Sequence, residues 1–391
     1  MYNLHRLRCA VLAILAWASC NLASAHTEVT VAVPEDAAEG PAPARRALLS
    51  EEPHAFQWGL HIDGEGVSNL DGGLRRGTAY TTVLHGALAL DTEPLGGWAG
   101  GRLAVSAVHI ASDQPSLNYV GDVQGVSNLA APPADRLYQL WYRQQFDWQG
   151  LRVRGGLLDM NQNFVATDAA STLLNASFGM IPTLTGNVPV STYPKPGVGL
   201  EGRLALDPWH VKLGVFQADP EHRDTLFSNG HLVVVETGYR VALPHMGSRS
   251  YTLGVWQFHQ SDRQLGDIPS SDRGAYGLFE THVPDSQTHV FLQLGAAPNA
   301  VNRVPYYLGA GFQIQGPLRR RAADMLTGGV AHARLRGDAL DAETACELSY
   351  IIAVHRFVSL QPDLQYIVHP GGRTDVNNAL VASLRLHLEF Y

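Results

Sequence analysis

The stretch "ALVASLRLHLEFY", Ala379 to Tyr391, carries the pattern that decides the fold. From Leu380 onward, apolar Leu380, Ala382, Leu384, Leu386, Leu388 and Phe390 alternate with Val381, Ser383, Arg385, His387, Glu389 and Tyr391. A period of two is the period of a β-strand, whose successive side chains leave opposite faces. One face is continuously apolar and the other is mostly polar or charged. Such a strand separates a greasy phase from a wet one.

The same texture fills the chain upstream. About sixteen alternating segments of roughly 9 to 11 residues, from Phe56 to Gly66 through to Leu380 to Phe390, are each closed by Gly, Pro, Asp or Asn. No helical period of useful length interrupts them. Charged residues are only 16% of the 391, below the roughly 25% usual for soluble domains, so a second apolar environment must absorb the Leu, Val and Ala. A strand in lipid cannot leave backbone N–H or C=O groups unpaired, so the sheet must close on itself. The fold expected is an all-β transmembrane antiparallel barrel of about sixteen strands, with long extracellular loops.

The N-terminus reads as an export signal: Arg6 and Arg8, an apolar run from Ala10 to Trp17, and the small residues Ala23-Ser24-Ala25. The domain expectation is a cleaved signal peptide over 1–25, a Pro/Ala/Glu-rich periplasmic leader over 26–54 and the barrel over 55–391. Cys9 and Cys20 leave with the signal, so Cys346 has no intrachain partner; its phase with Leu348 and Tyr350 makes it an inert apolar thiol.

Two stretches, Gln114 to Arg136 and Ser171 to Gly197, are too long and turn-rich for simple connections, and one of them is expected to fold inward as a constriction loop. Pro362 cannot donate to a ladder, so it is expected to mark the start of its strand, and "HPGG" the end.

At these stretches the sequence resembles the carbohydrate-selective, OprB-like outer-membrane porins. The blocks that carry the resemblance are "SNLDGGLRRGTAY", "NYVGDVQGVSN", "RLYQLWYRQQF", "LNASFGMIPTL" and "LQPDLQYIVHPGG", in that order. The resemblance covers 55–391 and implies passive, sugar-selective diffusion of glucose-like monosaccharides through a constricted, arginine-lined lumen. It also implies carbohydrate solutes and outer-membrane lipid as partners. A terminal aromatic, here Phe390 with Tyr391 one residue beyond it, implies recognition by the barrel assembly machinery. The alternatives are a less selective porin for polyols or other small solutes, a non-conducting surface barrel, and a soluble periplasmic β-enzyme.

Alternation assigns the lumen. In "LYQLWYRQQF" the face Tyr138, Leu140, Tyr142 suits lipid, which leaves Gln139, Trp141, Arg143 and Gln145 facing the pore. Arg152 and Arg154 share one face of the next segment, with Asp159 and Asn161 at its end. Glu236 and Arg240, and Gln361, Asp363 and Gln365, are in phase on theirs, while Arg75 and Arg76 belong to lumen or rim. Each is equally readable as a solvated wall residue. A guanidinium donates to sugar hydroxyls and an indole stacks on the apolar face of a pyranose, which makes Trp141, Arg143, Arg152 and Arg154 the leading cluster. Nothing in the sequence points to catalysis, a cofactor or a metal: the 17 histidines show no HExxH, and there is no GxSxG elbow or phosphate loop. A net charge of −8 argues against a nucleic-acid partner.

Overall fold

The alternating segments pair, each with its chain neighbour, until the last meets the first. The computed structural model describes residues 49–50, 54–243, 247–261, 268–337 and 339–391; the signal peptide and nearly all of the leader lie outside the described residues. Sixteen strands are present among them: β1 (Gln57–Gly73), β2 (Gly77–Asp91), β3 (Gly101–Ser112), β4 (Ala134–Gln145), β5 (Arg152–Leu158), β6 (Gly197–Leu206), β7 (Trp209–Gln217) and β8 (Gly230–Leu243). The second half is β9 (Gly247–Gln260), β10 (Ser271–His282), β11 (Thr288–Ala296), β12 (Tyr306–Gln315), β13 (Met325–Arg334), β14 (Ala342–His355), β15 (Val358–Val368) and β16 (Asn377–Phe390). All pairings are antiparallel, and β16 closes the barrel between β15 and β1.

The opening stretch is that closing strand. Leu384, Leu386 and Phe390 are exposed on the outer face, whereas Val381, Ser383 and Arg385 are buried on the inner one. Outward Leu84, Leu140, Leu213, Leu253, Leu308 and Leu348 continue the apolar band around the wall. Cys346 sits on this outer face, as its phase requires. Near one rim the rings of Trp209, Tyr239, Tyr251 and Phe279 follow one another at 4.7, 6.4 and 5.0 Å, a segment of aromatic girdle. That rim carries the short turns and the C-terminus; the odd-to-even strand connections form the other, long-loop end.

Two local expectations fail. Tyr138 does not face lipid: the β3–β4 register shifts between Ser106 and Ala107, Tyr138 is the extra residue of that bulge, and it turns inward beside Gln139. Pro362 lies inside β15 rather than at its start, paired with Leu384 of β16. The β14–β15 ladder lapses between the Ser349–Asp363 and Ile352–Leu360 pairs, and the proline sits in that gap where no donor is required.

Candidate functional site: the lumen

The lumen is occupied by chain. Both long connections, not one, turn into the barrel: residues 113–133 between β3 and β4, and residues 159–196 between β5 and β6. Met160, Phe164, Leu173, Phe178, Ile181 and Leu184 are all buried there, the last in a single helical turn, α1 (Pro182–Thr185), with proline at its first position. Phe164 meets Phe216 of β7 edge-on at 6.1 Å, and Phe178 meets Phe291 of β11 at 5.8 Å. Glycines on the inner wall make the room: a Cβ at Gly329 would come within 2.8 Å of Phe178, and one at Gly214 within 3.0 Å of Phe164.

Irregular backbone enclosed in a barrel must find partners for its polar groups. The inner wall supplies them. The Glu347 carboxylate accepts from the N–H groups of Leu174 and Asn175 at 2.5 and 2.9 Å. Glu280 accepts from Asp168 and Ala169, both at 3.0 Å. Glu343 accepts from Val123 and Gln124 at 2.9 Å and from Gly371 at 2.7 Å. Glu236 accepts from Val165 N–H at 2.7 Å and also from Lys212 and the Tyr276 hydroxyl. Wall glutamines do the converse for carbonyls: Gln361 donates to Thr172 O, Gln365 to Val126 O and Gln293 to Phe178 O. Each charge-assisted bond is worth about 1.5–3 kcal/mol, and its loss leaves a buried group unsatisfied.

The expected site residues divide into two groups. Glu236, Gln361 and Gln365 hold the inward segments. Asp363 is buried beside Gln365, whose amide donates to it at 3.0 Å. Asp159 accepts from Asn161 N–H at 2.9 Å and from the inward Tyr138 hydroxyl, and the Asn161 amide donates to Gly179 O at 2.9 Å. Arg154 is buried and ion-paired with Glu201 at 2.8 Å, donates to Gln162 at 3.1 Å, and lies 5.3 Å over the Trp141 ring. These residues tie the inward segments to the wall or brace the wall beside them. Arg75 and Arg76 are at the rim: Arg75 covers Tyr119 at 4.4 Å and Arg76 pairs with Asp71.

The second group lies along the inner wall of β3 to β8. Gln139, Trp141 and Arg143 share the inner phase of β4, with Gln139 the most buried. Register then carries a cationic run across the wall: Arg102 opposite Arg143, Arg143 opposite Arg154, Arg152 opposite Arg203, and Arg203 opposite Lys212. Arg152 donates to Gln145 at 3.1 Å, and Arg240 is exposed on the inner phase of β8. Inner-face acids are spread around the wall, with Glu201 on β6, Glu236 on β8, Glu280 on β10, Glu343 and Glu347 on β14, Asp363 on β15, Glu389 on β16 and Asp63 and Glu65 on β1. On the inward segment, burial pushes the Asp122 carboxyl above the ordinary range.

Sequence reasoning missed Glu201, Glu280, Glu343 and Glu347 as clamps and Arg203 and Lys212 as wall cations. The signal was present: in "GLEGRL", "GLFETH", "ACELS" and "HVKLG" a charge occupies the phase opposite to outward apolar residues.

The model of the carbohydrate-selective porin, OprB family, matches residues 75–390. The chain belongs to this family. The porin is 23% identical to Porin B of Pseudomonas aeruginosa over 417 residues, covering 88% of this chain and 89% of that protein. Among solved structures it resembles Pseudomonas putida OprB at high pH, with TM-score 0.77, 19% identity and coverage of 86% and 94% of the two chains. A variant of the Rh. blastica porin follows at TM-score 0.52 and 10% identity, covering 86% of this chain and all of that one. Family and fold are those of an outer-membrane channel for carbohydrates rather than of an enzyme.

Proposed function

We propose that the porin passes glucose-like monosaccharides down their gradient into the periplasm, and that they touch the wall along β3 to β8. The observation that carries this reading is the cross-strand run of guanidinium donors, Arg143, Arg152 and Arg203, with Arg240 beyond them and Trp141 beside them. A neutral polyhydroxylated solute offers acceptors on every edge, which guanidinium forks satisfy as hydration is shed. An indole matches the apolar face of the sugar ring. Because a passive channel has no preferred direction, net flux into the periplasm follows consumption there and beyond. The outer apolar band is the surface for lipid, and the outward Phe390 of β16 is the feature the barrel assembly machinery would read. An export signal over 1–25 and a periplasmic leader over 26–54 complete the reading.

Liposome swelling with an isosmotic panel tests it. Glucose is expected to enter faster than mannitol or an uncharged amino acid of similar size. Entry ranked by size alone would favour the unselective alternative, and no swelling the non-conducting barrel.

A further inference from the structure

The seam between the first and last strands brings together side chains from opposite ends of the barrel sequence. In the β1–β16 register His61 faces Glu389 and Asp63 faces His387, all on the inner phase near the short-turn end. We propose that His61, His387 and Glu389 bind a divalent first-row transition-metal ion of the zinc type. One ligand atom from each, two imidazole nitrogens and a carboxylate oxygen, lie within 4.8 Å of one another. His61 Nε2 stands 3.5 Å from Glu389 Oε1, and His387 Nε2 stands 3.9 Å from Glu389 Oε2. Donors bound at about 2.0–2.1 Å in a tetrahedral shell are roughly 3.3 Å apart, so rotamer adjustments that draw the widest pair together by up to about 1.5 Å would close the set.

A second shell is already in place. Asp63 Oδ1 lies 2.7 Å from His387 Nδ1, so Nδ1–H donates to the carboxylate and Nε2 is presented to the ion. The two imidazoles meet edge-on with centroids 5.1 Å apart. Their side chains and that of Glu389 are 12–18% exposed, sheltered yet reachable from the lumen. The ligands ride on adjacent hydrogen-bonded strands, which fix their spacing better than loops would. An N,N,O donor set with a fourth position for water suits Zn²⁺ and its neighbours, whereas Ca²⁺ and Mg²⁺ take oxygen shells. The bound ion would pin the seam whose closure joins the residues most distant in sequence. No sequence motif could reveal it, since the ligands stand at opposite ends of the barrel.

The site does not depend on which solute the channel selects. The test is calorimetric titration of ZnCl2 into the tag-free, chelator-stripped porin in detergent, with unfolding followed by heat-modifiability on gels. One ion per barrel is expected, together with a higher unfolding temperature that EDTA reverses. Glu389→Gln and His387→Ala should each weaken binding at least tenfold while the barrel stays heat-modifiable, and Asp63→Asn about 10- to 100-fold. Absence of saturable binding at millimolar zinc would overturn the proposal. So would binding that survives in folded Glu389→Gln and His387→Ala, because other histidines, such as His282 and His289, whose rings lie 4.9 Å apart across β10 and β11, would then be the ligands.

Discussion

At the scale of single residues, Arg152 and Arg154 share a face and a strand yet do different work. Arg154 is locked to Glu201 and Gln162 within the wall. Removing it leaves a buried carboxylate with much of its compensation gone, so Arg154→Ala is expected to cost about 3–5 kcal/mol and to lower the unfolding temperature seen by heat-modifiability. Arg152, half-buried beside Gln145, faces the lumen. Arg152→Ala should leave stability within about 0.5 kcal/mol while weakening the block of ion current by sugar. Asp122 gives a pH signature. Its carboxyl is raised by burial, so its contribution to stability is complete below the ordinary carboxylate range and is lost as pH rises through its folded value. Asp122→Asn should therefore flatten the fall in unfolding temperature as pH rises above the ordinary carboxylate range. Alternation in the sequence put both arginines on one face. It could not separate them, because the distinction lies in Glu201 of β6, more than forty residues away.

Among elements, the inward segments are held by two devices that strand periodicity alone does not explain, carboxylates aimed at backbone N–H pairs and glycines under aromatic rings. Glu347→Ala removes both acceptors of Leu174 and Asn175, about 1.5–3 kcal/mol for each bond. Larger and noisier single-channel conductance is expected, with the heat-modifiable barrel intact. Gly329→Leu should act in the same direction, since even its Cβ would collide with Phe178 and Leu173. Unchanged conductance in both variants would show that the segment around Phe178 does not limit the pore. The length and turn content of Gln114 to Arg136 and Ser171 to Gly197 marked them as something other than connections. That both enter the lumen was not legible, because their partners Glu343, Glu347 and Glu280 lie on strands far along the chain. The bulge at Tyr138 and the ladder gap at Pro362 were hidden for a related reason: each is a property of two strands together, and a period counted along one strand passes over it.

For the whole molecule, closure is the constraint that made the architecture readable. A sheet in lipid has no tolerable edge, so an uninterrupted in/out code ending in "ALVASLRLHLEFY" required a first strand to meet it, and β1 does so from Leu60 opposite Phe390 onward. The seam that results gathers residues from both ends of the barrel, which is why the His61, His387 and Glu389 cluster exists only in three dimensions. Cations also run together on this scale, opposite one another across β3 to β7, while the buried glutamates of β14 are spent on the backbone of the inward segments. The direct test is single-channel recording of the purified porin in planar bilayers while glucose is titrated into the bath. The account requires stepwise channels whose ion current falls saturably with glucose, less steeply in Arg152→Ala. Channels whose current is indifferent to glucose at every concentration, or membranes that never conduct, would contradict it.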